Sequence, residues 1–254
     1  MGKKIRSSFN SIDCACVIHG DTYNFSYVDK LYSMLTRNFT IPVRLHVYTE
    51  QARVVPDHYI KHDLIEWPNL SGPKKSWWYK LQLFNKEHFL GNLLYFDLDM
   101  VVVNSLDWIL DRDLHFFWTI LDFKRLYKRD YQGINSSMMF WNTERHSYIW
   151  DNIRNTDIKS ITSKFRGDQD YLQTVIPKQQ IQYFPLDKII SWRWQALRGS
   201  APINRRHRPN VNTGTEITEE TAVLVFHGQP KPHELDDPVV NKHWQWCCQK
   251  TTMQ

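Results

Sequence analysis

Residues 93–105 read LLYFDLDMVVVNS, so Asp97 and Asp99 stand inside an otherwise apolar run. Such a run is typical of a buried strand, yet carboxylates are rarely buried unless they are paired or bind a metal. On an extended strand, residues two apart point to the same face. Two like charges repel there unless a cation lies between them. The sequence therefore predicts a core strand that carries a cation-dependent acidic pair.

Alternating strand and helix patterns place this run inside an α/β domain. Strand patterns at 14–20 and 43–50 flank a helical pattern at 27–39, a unit that predicts parallel strands joined by a right-handed crossover. The further predicted elements are helices at 73–84 (with Pro73 near its start), 144–153 and 168–176, strands at 93–96, 115–121, 135–142, 181–185 and 221–228, and a long loop at 198–220. We expect one domain over 1–254, whose first ~100 residues have the size of a nucleotide-binding half.

Charge and hydropathy narrow the class of ligand and the location. A formal net charge of +5 suits an anionic ligand such as a phosphate ester, but it is too small to indicate nucleic acid binding. No run approaches the ~20 apolar residues that span a bilayer, and MGKKIR at the start precedes no signal-peptide core. We expect a cytoplasmic chain without a membrane span, which leaves peripheral association open. The four cysteines, Cys14, Cys16, Cys247 and Cys248, are expected to be free thiols.

The position of the acidic pair favours a metal site. Open α/β sheets bind ligands at the carboxyl ends of their strands, where Asp97 and Asp99 would lie. Two carboxylates suit a hard divalent ion, Mn²⁺ or Mg²⁺, which can hold a diphosphate. The alternative is a pair of surface aspartates satisfied by water and backbone amides.

Six sequence blocks occur in an order that resembles a known family. They are HGDTYNFSYVDKL, WWYKLQLF, YFDLDMVVV, NSSMMFWN, GDQDYL and FHGQPKPHE. Over about residues 13–235 the chain looks like GT-A-fold glycosyltransferases, most closely the glycogenin and lipopolysaccharide-galactosyltransferase group and its bacterial relatives. The resemblance implies a Rossmann-like nucleotide-binding half with a mostly parallel central sheet at about 11–104, a sugar and acceptor half at about 105–235, and a C-terminal tail at 236–254.

The resemblance also implies an activity and a set of site residues. A hexose would pass from a nucleotide-sugar, with UDP as the expected nucleotide, to a glycan or lipid-linked acceptor with retention of configuration. The implied metal ligands are Asp97, Asp99 and His227, although glycogenin-like members place the histidine where this chain has Val225. The implied nucleotide-sugar contacts are His19, Gly20, Asp21, Tyr23, Lys80, Asp97, Leu98, Asn135, Ser136, Arg193, Gly228 and Lys231.

The residues expected beside the reacting sugar carbon are Asp168, Gln169 and Asp170. Their position at a predicted helix start also suits simple capping, which accounts for one aspartate but not for the whole block. Arg193 would meet a phosphate or the acceptor, with Trp192 and Trp194 as stacking platforms. The RRHR run at 205–208 is either a solvated loop face or a contact to an anionic acceptor.

Two other classes of function stay open on the sequence. The run DLDMV also fits the nucleophile motif of haloacid-dehalogenase-like phosphatases, in which Asp97 would be phosphorylated and Asp99 would act as acid and base. That motif normally lies on the first strand of its domain, whereas here a strand–helix–strand unit precedes it. A non-catalytic domain that binds a nucleotide-sugar or a glycan is the other alternative.

Overall fold

Ten strands and six helices make up the computed structural model, which describes residues 9–68, 70, 75–200 and 211–246. The strands are β1 (Ile12–Ile18), β2 (Val43–Thr49), β3 (Ile60–Asp63), β4 (Asn92–Phe96), β5 (Met100–Val102), β6 (Phe117–Leu121), β7 (Ile134–Asn142), β8 (Ile181–Tyr183), β9 (Ile189–Ser191) and β10 (Val223–Val225). The helices are α1 (Ser26–Asn38), α2 (Lys75–Trp78), α3 (Tyr148–Arg154), α4 (Ile158–Thr162), α5 (Asp168–Val175) and α6 (Pro238–His243).

Seven of these strands form the central sheet, in the order β3-β2-β1-β4-β7-β6-β8. Neighbours are parallel except around β7, which is antiparallel to both β4 and β6. A second sheet has the order β5-β10-β9, with β10 antiparallel to β5 and parallel to β9. The predicted α/β class and mostly parallel central sheet are confirmed.

The acidic pair lies where the chain passes from one sheet to the other. Strand β4 ends at Phe96 in the central sheet, and β5 begins at Met100 in the second sheet. The backbone N–H of Asp97 still donates to the carbonyl of Ser137 at 2.7 Å, after which the chain turns. The predicted strand at 93–96 is confirmed, with the pair at its carboxyl end, but the strand does not continue through the pair into the valines. The two apolar runs are buried in different sheets, and the carboxylates occupy the break between them.

The first strand–helix–strand unit forms as its periodicity predicts. Strand β1 pairs in parallel with β2 along its whole length, and α1 supplies the crossover. Val28, Leu31 and Leu35 of α1 are fully buried and belong to the same apolar core as Cys14 and Cys16 of β1. Each such Leu or Val contributes roughly 1.5–3 kcal/mol on burial. Both cysteines are free, as expected.

The predicted helix at 73–84 forms only in part. Four α-helical residues in α2 are followed by a 3₁₀ segment over Tyr79–Phe84. All six residues of that segment are buried, so it has no exposed face of the kind that an amphipathic surface helix turns towards water. Its Gln82 instead exchanges two hydrogen bonds with the backbone of Ile65, at 2.8 and 2.7 Å.

Other predicted elements are shorter or displaced. The helix predicted at 144–153 begins at Tyr148, and the strand predicted at 221–228 covers Val223–Val225 alone. Pro73, the RRHR run at 205–208, Cys247 and Cys248 lie outside the described residues. Among the residues that the structure describes, no helix has the length and apolar character needed to cross a bilayer.

A row of histidines lies on the sheet away from the acidic pair, with His46 buried and His62 and His88 partly buried. His46 Nε2 lies 2.9 Å from Asp13 Oδ1, and His46 Nδ1 lies 2.8 Å from His62 Nε2. Tyr48 stacks on the His62 ring at 4.4 Å. Burial, followed by repulsion from His46 and His88, lowers the pKa of His62 to about 4, against a weaker opposing effect of Asp63.

This arrangement predicts a loss of stability in mild acid. The unfolded chain protonates His62 near pH 6.5, whereas the folded chain does so near pH 4, so unfolding takes up a proton between those values. Stability should be greatest above pH 6.5 and fall by on the order of 2 kcal/mol as the pH drops towards 4. Urea unfolding across that range should show a shallower pH dependence for His62→Gln, and the exposed His58→Gln should behave as wild type. An unchanged slope in His62→Gln would contradict this origin.

Candidate functional site

Lys80 is buried between two carboxylates at the sheet junction. Its Nζ lies 2.8 Å from Asp97 Oδ1 and 3.7 Å from Asp168 Oδ2. Tyr95 donates its hydroxyl proton to Asp97 at 2.6 Å, and Ser136 donates to Asp168 at 2.6 Å. Burial alone would lower the pKa of Lys80, but the charges of Asp168 and Asp97 outweigh it and raise that pKa above its ordinary value. The two carboxylates therefore favour the charged form of the lysine inside the site.

Asp99 has a separate set of partners on the other side of the pair. Lys231 Nζ contacts Asp99 Oδ2, and the Tyr23 hydroxyl donates to the same oxygen at 2.9 Å. Burial raises the pKa of Asp99. The charge of Lys231 opposes this increase, and the charge of Asp97 adds to it. The structure thus brings together five residues from four distant parts of the chain: Tyr23, Lys80, the pair Asp97 and Asp99, and Lys231.

The turn after β1 reaches a neighbouring set of polar groups. Gly20 has φ +66° and donates its N–H to Glu50 Oε1 at 2.7 Å, while Arg53 donates to the Gly20 carbonyl at 2.8 Å. Burial would raise the pKa of Glu50, but hydrogen bonds from Arg53 and other groups lower it to about 2. Glu50 follows the end of β2, next to β1 in the sheet, and that adjacency is the signal that the sequence reasoning did not use.

His19 also lies at this edge, on an aromatic surface. Its ring stacks on Tyr79 at 3.9 Å, and its Nε2 lies 2.9 Å from Glu66 Oε1. Asp21, two residues further along the chain, is exposed. Tyr79 and Glu66 were not among the predicted site residues, although Tyr79 directly precedes Lys80.

The three residues of the block 168–170, at the start of α5, contact different partners. Asp168 is buried beside Lys80, whereas Gln169 Nε2 donates to Asp122 Oδ2 at 2.8 Å. Asp170 pairs with Arg166 at 2.6 Å instead. Residues two apart on an α-helix lie about 200° apart around its axis, so Asp168 and Asp170 face different surroundings. Asp122, which follows β6, is a buried carboxylate that the sequence analysis missed.

Two further predicted residues, Asn135 and Leu98, have mainly structural contacts. Asn135 Oδ1 accepts the N–H of Ser137 at 3.0 Å and so shapes the strand next to Ser136. The Leu98 side chain belongs to the apolar core, which leaves its backbone as the part that could face a ligand.

The histidine of the late block has contacts with Ser191 and Phe123. His227 Nε2 is 2.6 Å from Ser191 Oγ, and its ring stacks on Phe123 at 5.5 Å. Among the described residues, no three His, Cys, Asp or Glu side chains form a group that could hold a metal ion. The predicted trio of Asp97, Asp99 and His227 is therefore not assembled in this conformation.

The segment around Arg193 differs from the expectation of two stacking platforms. Trp192 is 1% exposed and stacks on Phe226, and Trp194 is 8% exposed. Both rings are core residues, so the expectation for them is wrong. Gly228 has φ +79°, and a side chain there would meet Arg193 Nη1 at 3.0 Å, so these two predicted donor contacts are neighbours.

Two carboxylates, with no third such ligand beside them among the described residues, still fit a divalent cation whose shell a diphosphate would complete. Mg²⁺ and similar ions are commonly held by one or two carboxylates plus phosphate oxygens and water. Asp97 and Asp99 each contact a lysine ammonium group in the structure. Together with Asp168 they make three carboxylates against two lysines, which leaves an excess of negative charge for a metal cation. The donor set therefore fits Mn²⁺ or Mg²⁺ at Asp97 and Asp99.

Comparison with solved structures identifies the fold. An active-site mutant of the galactosyltransferase LgtC aligns with a TM-score of 0.61 and 15% identity, over 91% of this chain and 93% of that one. LgtC in complex with donor and acceptor sugar analogues aligns with a TM-score of 0.58 and 17% identity, over 87% and 89%. The bifunctional glycosyltransferase WbbM aligns with a TM-score of 0.57 and 10% identity, over 88% of this chain and 47% of that one.

Comparison of the sequence with family models and with curated proteins, by contrast, gives no match. At these identities the structural likeness concerns the fold. The chain has the GT-A-type fold of glycosyltransferases, as the ordered sequence blocks implied.

Proposed function

We propose that this chain is a metal-dependent glycosyltransferase, which moves a hexose from a UDP-sugar to a glycan or lipid-linked acceptor with retention of configuration. The observation that carries the proposal is the meeting of two lysines with three buried or half-buried carboxylates at the junction of two sheets. A GT-A-type fold supports it. A phosphatase with Asp97 as nucleophile has no support in the comparisons.

The charges at the junction suit a nucleoside diphosphate. Lys231 and Lys80 would bind the diphosphate oxygens once these compete with the carboxylates for the ammonium groups. A divalent cation, when bound at Asp97 and Asp99, would neutralise charge on the leaving diphosphate. Tyr23 holds Asp99 in position through its hydroxyl group.

The remaining groups suit the two ends of the donor. At the turn after β1, the half-exposed edge with His19, Gly20 and Asp21 would receive the base and ribose, with backbone approach eased by the glycine. Asp168 and Gln169 would face the sugar, and Asp122 orients the amide of Gln169. Asp168, held by Ser136 and Lys80, would stabilise positive charge that develops on the sugar carbon.

The first test is a donor screen that measures nucleoside diphosphate release with and without Mn²⁺. We expect turnover of a UDP-sugar that requires the metal, and a fall of about 100-fold in Asp99→Asn because a metal-binding carboxylate is lost. The exposed Asp111→Asn serves as the matched control and should retain full activity. Full activity of Asp99→Asn would refute the proposal, and UDP binding without turnover of any donor would favour the non-catalytic alternative.

The two lysines should give different phenotypes. Lys80→Met leaves two carboxylates without their buried cation, so urea unfolding should show a loss of about 3 kcal/mol. Lys231→Met should instead raise the KM for the donor about tenfold, because a diphosphate contact is lost while Tyr23 still holds Asp99. The exposed Lys242→Met is the control for both measurements. Wild-type stability of Lys80→Met would contradict the account of the buried cluster.

A further inference from the structure

A cavity of about 590 Å³ lies beside α5, separate from the lysine–carboxylate cluster. We call it the α5 cavity, and its lining includes Tyr131, Phe165, Arg166, Asp170, Gln173 and Lys178. Aromatic rings, an amide and two cations are thus present together in one concave surface. Such a mixture is typical of sites that bind a polar, ring-shaped ligand.

The charge around the α5 cavity is positive. Lys124 Nζ and Lys128 Nζ lie 5.3 and 5.1 Å from the centre of the Tyr131 ring. The segments 122–133 and 165–178, which carry the lining residues, contain six Lys and Arg residues and four Asp residues. An anion entering the cavity would therefore meet an excess of cations.

Arg166 is placed to bind such an anion. It contacts the single carboxylate of the lining, Asp170, through Nε at 2.6 Å and Nη2 at 3.3 Å. A guanidinium has five donors in a planar fork, so donors of Nη1 remain to meet an incoming phosphate or carboxylate. The Arg166 side chain is 80% exposed, which lets it reach a ligand from solvent.

The α5 cavity adjoins the reacting site without overlapping it. Asp170 lines the cavity, whereas Asp168, two residues earlier on the same helix, contacts Lys80 and Ser136. The cavity and the lysine–carboxylate cluster therefore lie on different faces of the start of the same helix.

We propose that the α5 cavity binds an anionic sugar of the acceptor, a sugar phosphate or a uronic acid, with Arg166 and Lys178 on the charge and Tyr131 against the ring. This inference rests on the proposed transferase function for its biological role. The binding itself does not depend on that function.

The experiment is a ligand-detected NMR titration of the full chain with glucose 6-phosphate, glucuronate, glucose and inorganic phosphate. The two anionic sugars should bind at least about tenfold more tightly than glucose and than phosphate alone, because both the charge and the ring are recognised. Arg166→Gln and Lys178→Gln should each weaken that binding about fivefold. The exposed Lys164→Gln, two residues before Arg166, should not change it.

Equal binding of anionic and neutral sugars, or unchanged binding in both variants, would overturn the proposal. Inorganic phosphate binding as tightly as glucose 6-phosphate would also overturn it, since only a non-specific anion site would remain. Donor turnover measured in parallel separates the two claims. If the chain turns over the donor but does not bind the anionic sugars, only the proposed role of the α5 cavity is refuted. If it binds the anionic sugars but turns over no donor, only the transferase function is refuted.

Discussion

The contact on which this structure depends is that of Lys80 with Asp97 and Asp168. A buried charge is tolerated only when it is paired and hydrogen-bonded. Here the lysine ties the 3₁₀ segment after α2 to the end of β4 and to the start of α5. Tyr95 of β4 and Ser136 of β7 donate hydrogen bonds to the same two carboxylate oxygens that Lys80 contacts. The same contact that fixes these elements also keeps carboxylates and an ammonium group inside a ligand site.

The arrangement of the two sheets explains why acidic residues interrupt an apolar run. The chain has to leave the central sheet after β4 and enter the second sheet at β5, and the residues between them cannot pair with both. Lys231 reaches Asp99 because its segment follows β10, which pairs with β5. The neighbouring carboxyl ends of β1 and β2 supply Gly20 and Glu50. Strand order thus places donors and acceptors from distant sequence positions along one edge.

Local patterns predicted α1, β1 and β2 because their side chains have a clear apolar period and pack on one core. The acidic pair was also predictable, since two carboxylates among valines need a cation. Strands β5 and β9 have three residues each, too few for a period, and form only through β10. Asp122 and Glu50 were missed because their role depends on which strand ends are neighbours. Trp192 was wrongly expected to stack on a ligand, because the sequence alone does not show whether an aromatic residue beside an arginine lies in the core or at the surface.

The central claim is that the lysine–carboxylate cluster binds a diphosphate together with a divalent cation. Isothermal titration of UDP into the chain, with and without Mn²⁺, tests it most directly. The account predicts that Mn²⁺ tightens UDP binding at least about tenfold and that Asp97→Asn removes this gain, since one of the two carboxylates is lost. The same affinity for UDP with and without Mn²⁺, or an undiminished gain in Asp97→Asn, would contradict it.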